Sequence, residues 1–271
     1  MSARIHPTAV IDRGAELGDE VEVGPFAVIG AQVRIGQGSR IGAHSTIEGP
    51  TTMGPGNQVF PHASIGTAPQ DLKYSGEPTS LEIGAHNQFR EFCTMNRGTE
   101  GGGGVTRIGD DNLFMAGSHV GHDSQVGSHT VFANCGTLAG HVEVGDWAVI
   151  GAFSAVHQFC RVGEHAYVGG FTVVTMDALP FAISVGHKPV CMGLNRVGLK
   201  RRGFDDDALR RLEGSLRLLT RPGLNRAQAL DRLREETAEA GDDNVRRLIQ
   251  FVEGSERGFI RASRRGSRGA A

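Results

Sequence analysis

The chain has 271 residues, of which 40 are Gly, 2 are Tyr and 1 is Trp, and its formal net charge is −2. Near-neutral charge gives no argument for a nucleic-acid partner, and no apolar run approaches membrane-spanning length. Cys93, Cys135, Cys160 and Cys191 form neither a CxxC pair nor a metal-ligand spacing, which fits free thiols in a reduced compartment. The opening MSARIHPTAV has no apolar signal region, so a soluble cytoplasmic protein is expected.

From the first residues onward an aliphatic or near-aliphatic side chain falls at every sixth position. Ile5, Ile11, Leu17 and Val23 begin the series, which runs to Ile65, resumes at Ile83, Phe89 and Met95, and resumes again from Ile108 to Val174. A period of six suits neither a helix nor a long alternating strand. It suits a short strand plus a turn, so that three repeats, eighteen residues, make one triangular coil. Coils of this kind stack about 4.8 Å apart, as parallel strands do. The phase residue points inward, and the small residue four places on (Ala9, Ala15, Val21, Ala27) fills the remaining interior. Burial of each phase residue is worth roughly 1.5–3 kcal/mol at most, and stability comes from the stack. The predicted fold is a parallel β-helix over 1–191. These repeats resemble the hexapeptide-repeat family, which implies left-handed winding, against the usual crossover rule. It also implies acyltransferases that work as trimers with sites between neighbouring prisms.

Two segments break the period. GTAPQDLKYSGEPTSLE, between Ile65 and Ile83, must loop outward over about 67–81. NRGTEGGGGVTR, between Met95 and Ile108, forms a second loop over about 97–106. Its four glycines resemble a phosphate cradle, but such loops open onto a helix; a flexible flap is the expectation. Residues 192–271 change character. DDDALRRLEGSLRLLT places Leu209, Leu212, Leu216 and Leu219 at helical spacing with acids at its start. RAQALDRLREETAEA and DNVRRLIQFVEG read as two more helices, and RASRRGSRGAA as a disordered basic tail. The C-terminal portion is expected to be a small helical domain capping the prism.

Coil phase also sorts the histidines. His44, His62, His86, His129, His141 and His165 sit three places after a phase residue, the turn position where a polar side chain faces solvent. His119, His122 and His157 break that pattern. Adding eighteen to 122 gives Gly140, and again gives Gln158, so the three form one column on one wall. An imidazole can take a proton from an attacking hydroxyl, and a backbone N–H can meet an oxyanion. Gly140 offers an amide with no side chain over it. Asp123 is placed to orient His122, although adjacent residues often point apart. His141 lies beside the column. Cys135 and Cys160 read as filler at or near the coil interior, and no carboxylate or thiolate completes a metal set with the histidines. No metal and no cofactor are expected.

QDLKYSGEPT, GHD at 121–123, LAGHV at 138–142, HQFCRVG at 157–163 and GLKRRGF at 198–204 occur in an order and spacing that resemble the UDP-N-acetylglucosamine acyltransferases over nearly the whole chain. That resemblance implies transfer of an (R)-3-hydroxyacyl group from acyl carrier protein to the 3-hydroxyl of UDP-N-acetylglucosamine, the first step of lipid A synthesis, by a homotrimer. It implies His122 as general base, Asp123 as its acid partner and Gly140 as oxyanion donor. Gln70, Asp71, Lys73, His119 and His141 fall on positions that hold the sugar and its phosphates. His157, Gln158, Asn195, Arg201 and Arg202 fall on nucleotide, donor or carrier contacts. Arg161, Lys200, Arg201 and Arg202 offer positive charge to an acidic carrier, although KRR alone would read as a solvated face. Gly170 falls on the position that limits acyl length, and glycine there implies a longer chain.

Two positions depart from the pattern. Val197 stands where some relatives carry glutamate, and Asn96 where some carry histidine, which leaves open an amino-sugar acceptor and an amide product. A related N-acyltransferase would carry an added N-terminal domain, whereas the repeats here begin at Ile5. A scaffold or carbonic-anhydrase-like protein on the same prism would have no site, or a three-histidine metal site between subunits.

Overall fold

The computed structural model describes residues 2–220, 223–237 and 242–263. Among the described residues, strands of two to five residues wind through three sheets of eleven, nine and eight strands, and through the coils each strand pairs in parallel with the one three strands on. We call these the first, second and third faces. The register follows the period: Ile5 pairs with Val23, Ile11 with Ile29 and Leu17 with Ile35. The eleven-stranded face ends in an antiparallel pair, Ala182–Val185 with Val190–Leu194, so strand structure runs across the expected boundary at 191.

Phase residues fill the interior, and Ile29, Ile47, Ile65, Phe89, Phe114 and Leu138 are fully buried. The first coil is an exception. Ile5 is 48 % exposed because among the described residues no coil lies beneath it, and Ala9 and Ala15 are only half-buried. The rule of a small residue four places on also holds only in part. At the corner between the third and first faces that place is taken by Ser39, Asn57, Asn87, Asn112 and Thr130, all buried. Asn57 Oδ1 accepts from the N–H and Nδ2 of Asn87, Asn87 Oδ1 from the same groups of Asn112, and Asn112 Oδ1 from the N–H and Oγ1 of Thr130. The amide ladder satisfies its own polar groups, which is what makes its burial tolerable.

All six turn histidines adopt left-handed backbone geometry, with φ between 55° and 63°. The coil fixes this conformation, and residues at the same corner of successive coils then stack their rings. Phe26, His44, His62 and Phe92 form one ladder with centroids 5.0–5.3 Å apart. His129, Trp147, His165 and Phe181 form another at the third corner. The solvent-facing expectation fails for His165, which is 7 % exposed beneath Phe204. Cys135 is likewise a turn residue, with φ 58°, and not interior filler; Cys160 is fully buried.

The helical portion contains α1 (Arg196–Arg201), α2 (Asp206–Thr220), α3 (Arg226–Thr237) and α4 (Asp243–Glu253). The four leucines of α2 are buried as their spacing predicts, while α1 was not anticipated. The expected basic tail lies largely outside the described residues. None of the described helices is long and apolar enough to cross a membrane.

Burial, then the charges of Arg202 and Arg247, push the His165 pKa down to about 4. The unfolded chain therefore binds a proton between about pH 6.5 and 4 that the fold refuses. This stability is full above 6.5 and lost as pH falls through that window, by up to roughly 3 kcal/mol. His165→Phe keeps the ring stack, since Phe occupies the same turn place elsewhere. Melting curves across this window should show it losing less stability on acidification than the parent protein.

Candidate active site

Ile65, Met95, Val120, Leu138 and Val156 lie in register on the second face, one per coil. The connection after each leads to the third face, so one corner carries the 68–79 loop, the 97–104 flap, His122–Asp123, Gly140–His141 and Gln158–Phe159. The predicted column is present. The His122 ring lies against Gly140 so closely that a Cβ there would come within 2.5 Å of His122 Cε1. The glycine is thus required for the imidazole to lie flat on the wall. Among the described residues no acceptor is paired with the Gly140 N–H.

Asp123 does not point away from its neighbour. Its φ of 62° turns the carboxylate back, and Oδ2 lies 2.7 Å from His122 Nδ1. The Asp123 side chain is 1 % exposed and that of His122 17 %, so the carboxylate is sealed while the imidazole can be reached. With Nδ1–H donated to the carboxylate, the lone pair of His122 sits on Nε2. His141 Nε2 is 3.7 Å from the same Oδ2, and its ring stacks on Phe159 at 4.5 Å.

These contacts correct the expectation that no carboxylate joins the histidines. Ligand atoms of His122, Asp123 and His141 lie within 4.8 Å of one another, a possible cation donor set. The carboxylate, however, already accepts from His122 and from the N–H and Oγ1 of Thr99, and a cation would have to displace those bonds.

The flap is not loose in this structure. Thr99 N and Oγ1 donate to Asp123 at 2.7 and 2.6 Å. At its root, Asn96 is buried and donates to Thr67 and Ala68, and Arg97 donates to Gly66 and to Tyr74 Oη, tying flap to first loop. Sequence reading missed Thr99. The signal was available, because both insertions follow phase residues of the same face as Val120.

His119 faces outward from the second face, its Nδ1 2.7 Å from Thr94 Oγ1, and burial pushes its pKa down. Gln70 and Lys73 are exposed on the first loop, and Asp71 Oδ1 accepts from Lys73 N. His157 and Gln158 are exposed one coil beyond Gly140.

Other expected residues stand elsewhere. Gly170 is exposed at the corner between the first and second faces, beside Phe153 and Phe171. Asn195, Arg201 and Arg202 are the N-cap, last residue and C-cap of α1, which packs near His165 at the corner between the third and first faces. The Asn195 side chain caps α1 by accepting from Gly198 N and donates to His165 O, so its amide is used within the fold. Arg202 lies over Trp147, with Nη1 buried and unpaired. Of the four cations expected to meet the carrier, Arg161 pairs with Glu143 and Lys200 with Asp206. Only Arg201 of the four is exposed without an ion-pair partner among the described residues. A single chain gathers His122, Asp123, Gly140, His141, His119, the first loop, His157 and Gln158, and leaves the rest on two other corners.

The coils wind left-handed, and the fold is that of a hexapeptide-repeat transferase. Residues 14–49 match the bacterial transferase hexapeptide model, and residues 177–260 match the second domain of UDP-N-acetylglucosamine O-acyltransferase. The chain belongs to the UDP-N-acetylglucosamine O-acyltransferase family. It is 52 % identical to the acyl-[acyl-carrier-protein]–UDP-N-acetylglucosamine O-acyltransferase of Thiobacillus denitrificans, over 96 % of this chain and all of that one. The enzyme of the same name from Burkholderia mallei gives the same identity and coverage. Among solved structures, LpxA of Acinetobacter baumannii superposes with a TM-score of 0.92 at 38 % identity, covering 95 % of this chain and 99 % of that one. The Moraxella catarrhalis enzyme gives 0.92 at 40 % identity over the same shares.

Gly140→Ala should leave the melting temperature nearly unchanged while pushing the His122 ring off the wall. A displacement of about 1 Å costs on the order of a hundred-fold in rate, to be read as turnover beside a thermal melt.

Proposed function

We propose that this protein transfers an (R)-3-hydroxyacyl group from acyl carrier protein to the 3-hydroxyl of UDP-N-acetylglucosamine, the first step of lipid A synthesis, in the cytoplasm. The single observation that carries the mechanism is the 2.7 Å contact between His122 Nδ1 and a sealed carboxylate, with the ring against an unpaired glycine amide. His122 Nε2 takes the proton of the sugar hydroxyl as its oxygen attacks the thioester carbonyl. The Gly140 N–H donates to the oxyanion of the tetrahedral intermediate. The carbon–sulfur bond then breaks, the thiolate leaves, and the proton returns to it from His122. Asp123 holds the tautomer and stabilises the imidazolium.

Gln70, Asp71, Lys73, His119 and His141, around the same corner, hold the sugar and its phosphates. His157, Gln158, Arg201 and Arg202 serve nucleotide, donor and carrier, with Asn195 fixing the start of the helix that bears the two arginines. Because Gly170 and α1 lie on other corners, this reading needs neighbouring copies of the chain. The face chemistry supports a homotrimer. The third face points paired charges outward, Glu16 with Arg34, Glu82 with Arg107 and Glu143 with Arg161. Residues pointing outward from the second face include Val10, Val28, Thr46, Ser64, Thr137 and Val173, none charged, and the upper first face adds Leu113, Val131, Val149 and Tyr167. Uncharged faces meet neighbours at lower desolvation cost. The names of the relatives specify O-acyl transfer, so the amide-forming alternative and the scaffold reading are not favoured.

The test is an assay of the purified protein and His122→Ala with carrier thioesters of several lengths and UDP-N-acetylglucosamine. The variant should lose at least about a hundred-fold in kcat. No transfer by the parent protein, or full activity in the variant, would overturn the reading. Gly170→Met should shift preference toward shorter donors, and an unchanged or longer preference would remove Gly170 from the acyl groove. Light scattering should give the mass of three chains.

A further inference from the structure

The 97–104 flap supplies no atom to the reaction proposed above, yet it makes most of the contacts of the carboxylate behind His122. Thr99 N meets Asp123 Oδ1 at 2.7 Å and Thr99 Oγ1 meets Oδ2 at 2.6 Å. One residue thus bonds both oxygens and fixes the plane of the carboxylate. The flap closes on that residue, since Gly102 N and Gly104 N donate to Thr99 O. Thr99 is itself 9 % exposed. Gly102 packs so tightly on Asp123 that a Cβ there would overlap the carboxylate, although its φ lies outside the left-handed region. From below, Thr106 Oγ1 accepts from Asp123 N.

An aspartate adjacent to its histidine has several rotamers open to it, and only one puts Oδ2 opposite Nδ1. We propose that Thr99 is a positioning residue, whose amide and hydroxyl grip the two oxygens of Asp123 and hold Oδ2 against His122 Nδ1. The inference rests on the reading of His122 as the base, but the geometry can be measured without turnover. Threonine suits the place because one residue offers both donors. Serine keeps both, and valine keeps the shape and the amide while losing the hydroxyl.

The experiment compares the parent protein with Thr99→Val, Thr99→Ser and Gly102→Ala, with thermal melts to establish folding. In histidine-labelled protein the His122 Nδ1 proton, assigned by its absence from His122→Ala, should give a downfield resonance protected from exchange. It should persist in Thr99→Ser and broaden or vanish in Thr99→Val and Gly102→Ala. In the transfer assay Thr99→Val should lose about ten-fold in kcat, the size of one hydrogen bond to a charged group, with both KM values within about two-fold. Thr99→Ser should restore most of that loss. A resonance missing from the parent protein or indifferent to Thr99→Val overturns the proposal, as do raised KM values with unchanged kcat. A resonance that responds as expected in a protein that transfers no acyl group supports the positioning and overturns the function instead.

Discussion

The structure depends on a backbone hydrogen bond repeated at a fixed interval, in which alternate N–H groups along the chain reach a carbonyl of the next coil, as His119 N does to Gly136 O and Gln125 N to Val142 O. This closure forces the chain around three corners in eighteen residues, and the corners require left-handed backbone at places filled by His, Phe, Asp, Trp and Cys. Such conformations cost non-glycine residues about 1–2 kcal/mol each. The stacked rings, the amide ladder and the buried phase residues offset that cost. A wall built this way fixes side chains by backbone register, which suits a site needing an imidazole held flat over an amide.

The left-handed turn also produces the chemistry. At an ordinary β position the side chain of Asp123 would leave on the face opposite that of His122. At φ 62° it swings back and meets the imidazole. The same geometry that makes His44 and His62 members of a surface ladder makes Asp123 and His141 part of a cluster around a buried carboxylate. What separates the two outcomes is the flap, which covers the corner of Asp123 and His141, whereas the corner of His44 and His62 stays open.

Much of this was legible in the residues. The six-residue phase located the strands from Ile5 to Val174, and the interval of eighteen placed His122, Gly140 and Gln158 on one wall. The leucine spacing of α2 located that helix. Side-chain consequences at the corners were not legible, because periodicity locates a turn but does not say what stacks over it. His165 reads like His62 in sequence, yet α1 and Phe204 bury the first and nothing covers the second. Thr99 looked like part of a glycine-rich flap, since its partner lies 24 residues away across a coil boundary. Asn195 and Arg202 matched a family pattern, while their partners His165 and Trp147 belong to the prism, so their local roles emerged only from packing.

The uncovered first coil has a consequence for how such a chain can vary in length. Among the described residues its strands present an unpaired edge with Ile5 half in water, whereas the opposite end is closed by helices. Whole turns of the coil could be gained or lost at that open edge without disturbing a single contact of His122. A change of six residues between Val120 and Leu138 would rotate Gly140 onto another wall, and a number that is not a multiple of six would break the phase outright. Evolution of this architecture is therefore quantised along its axis, with free-form additions confined to outward excursions such as the two that leave beside the site.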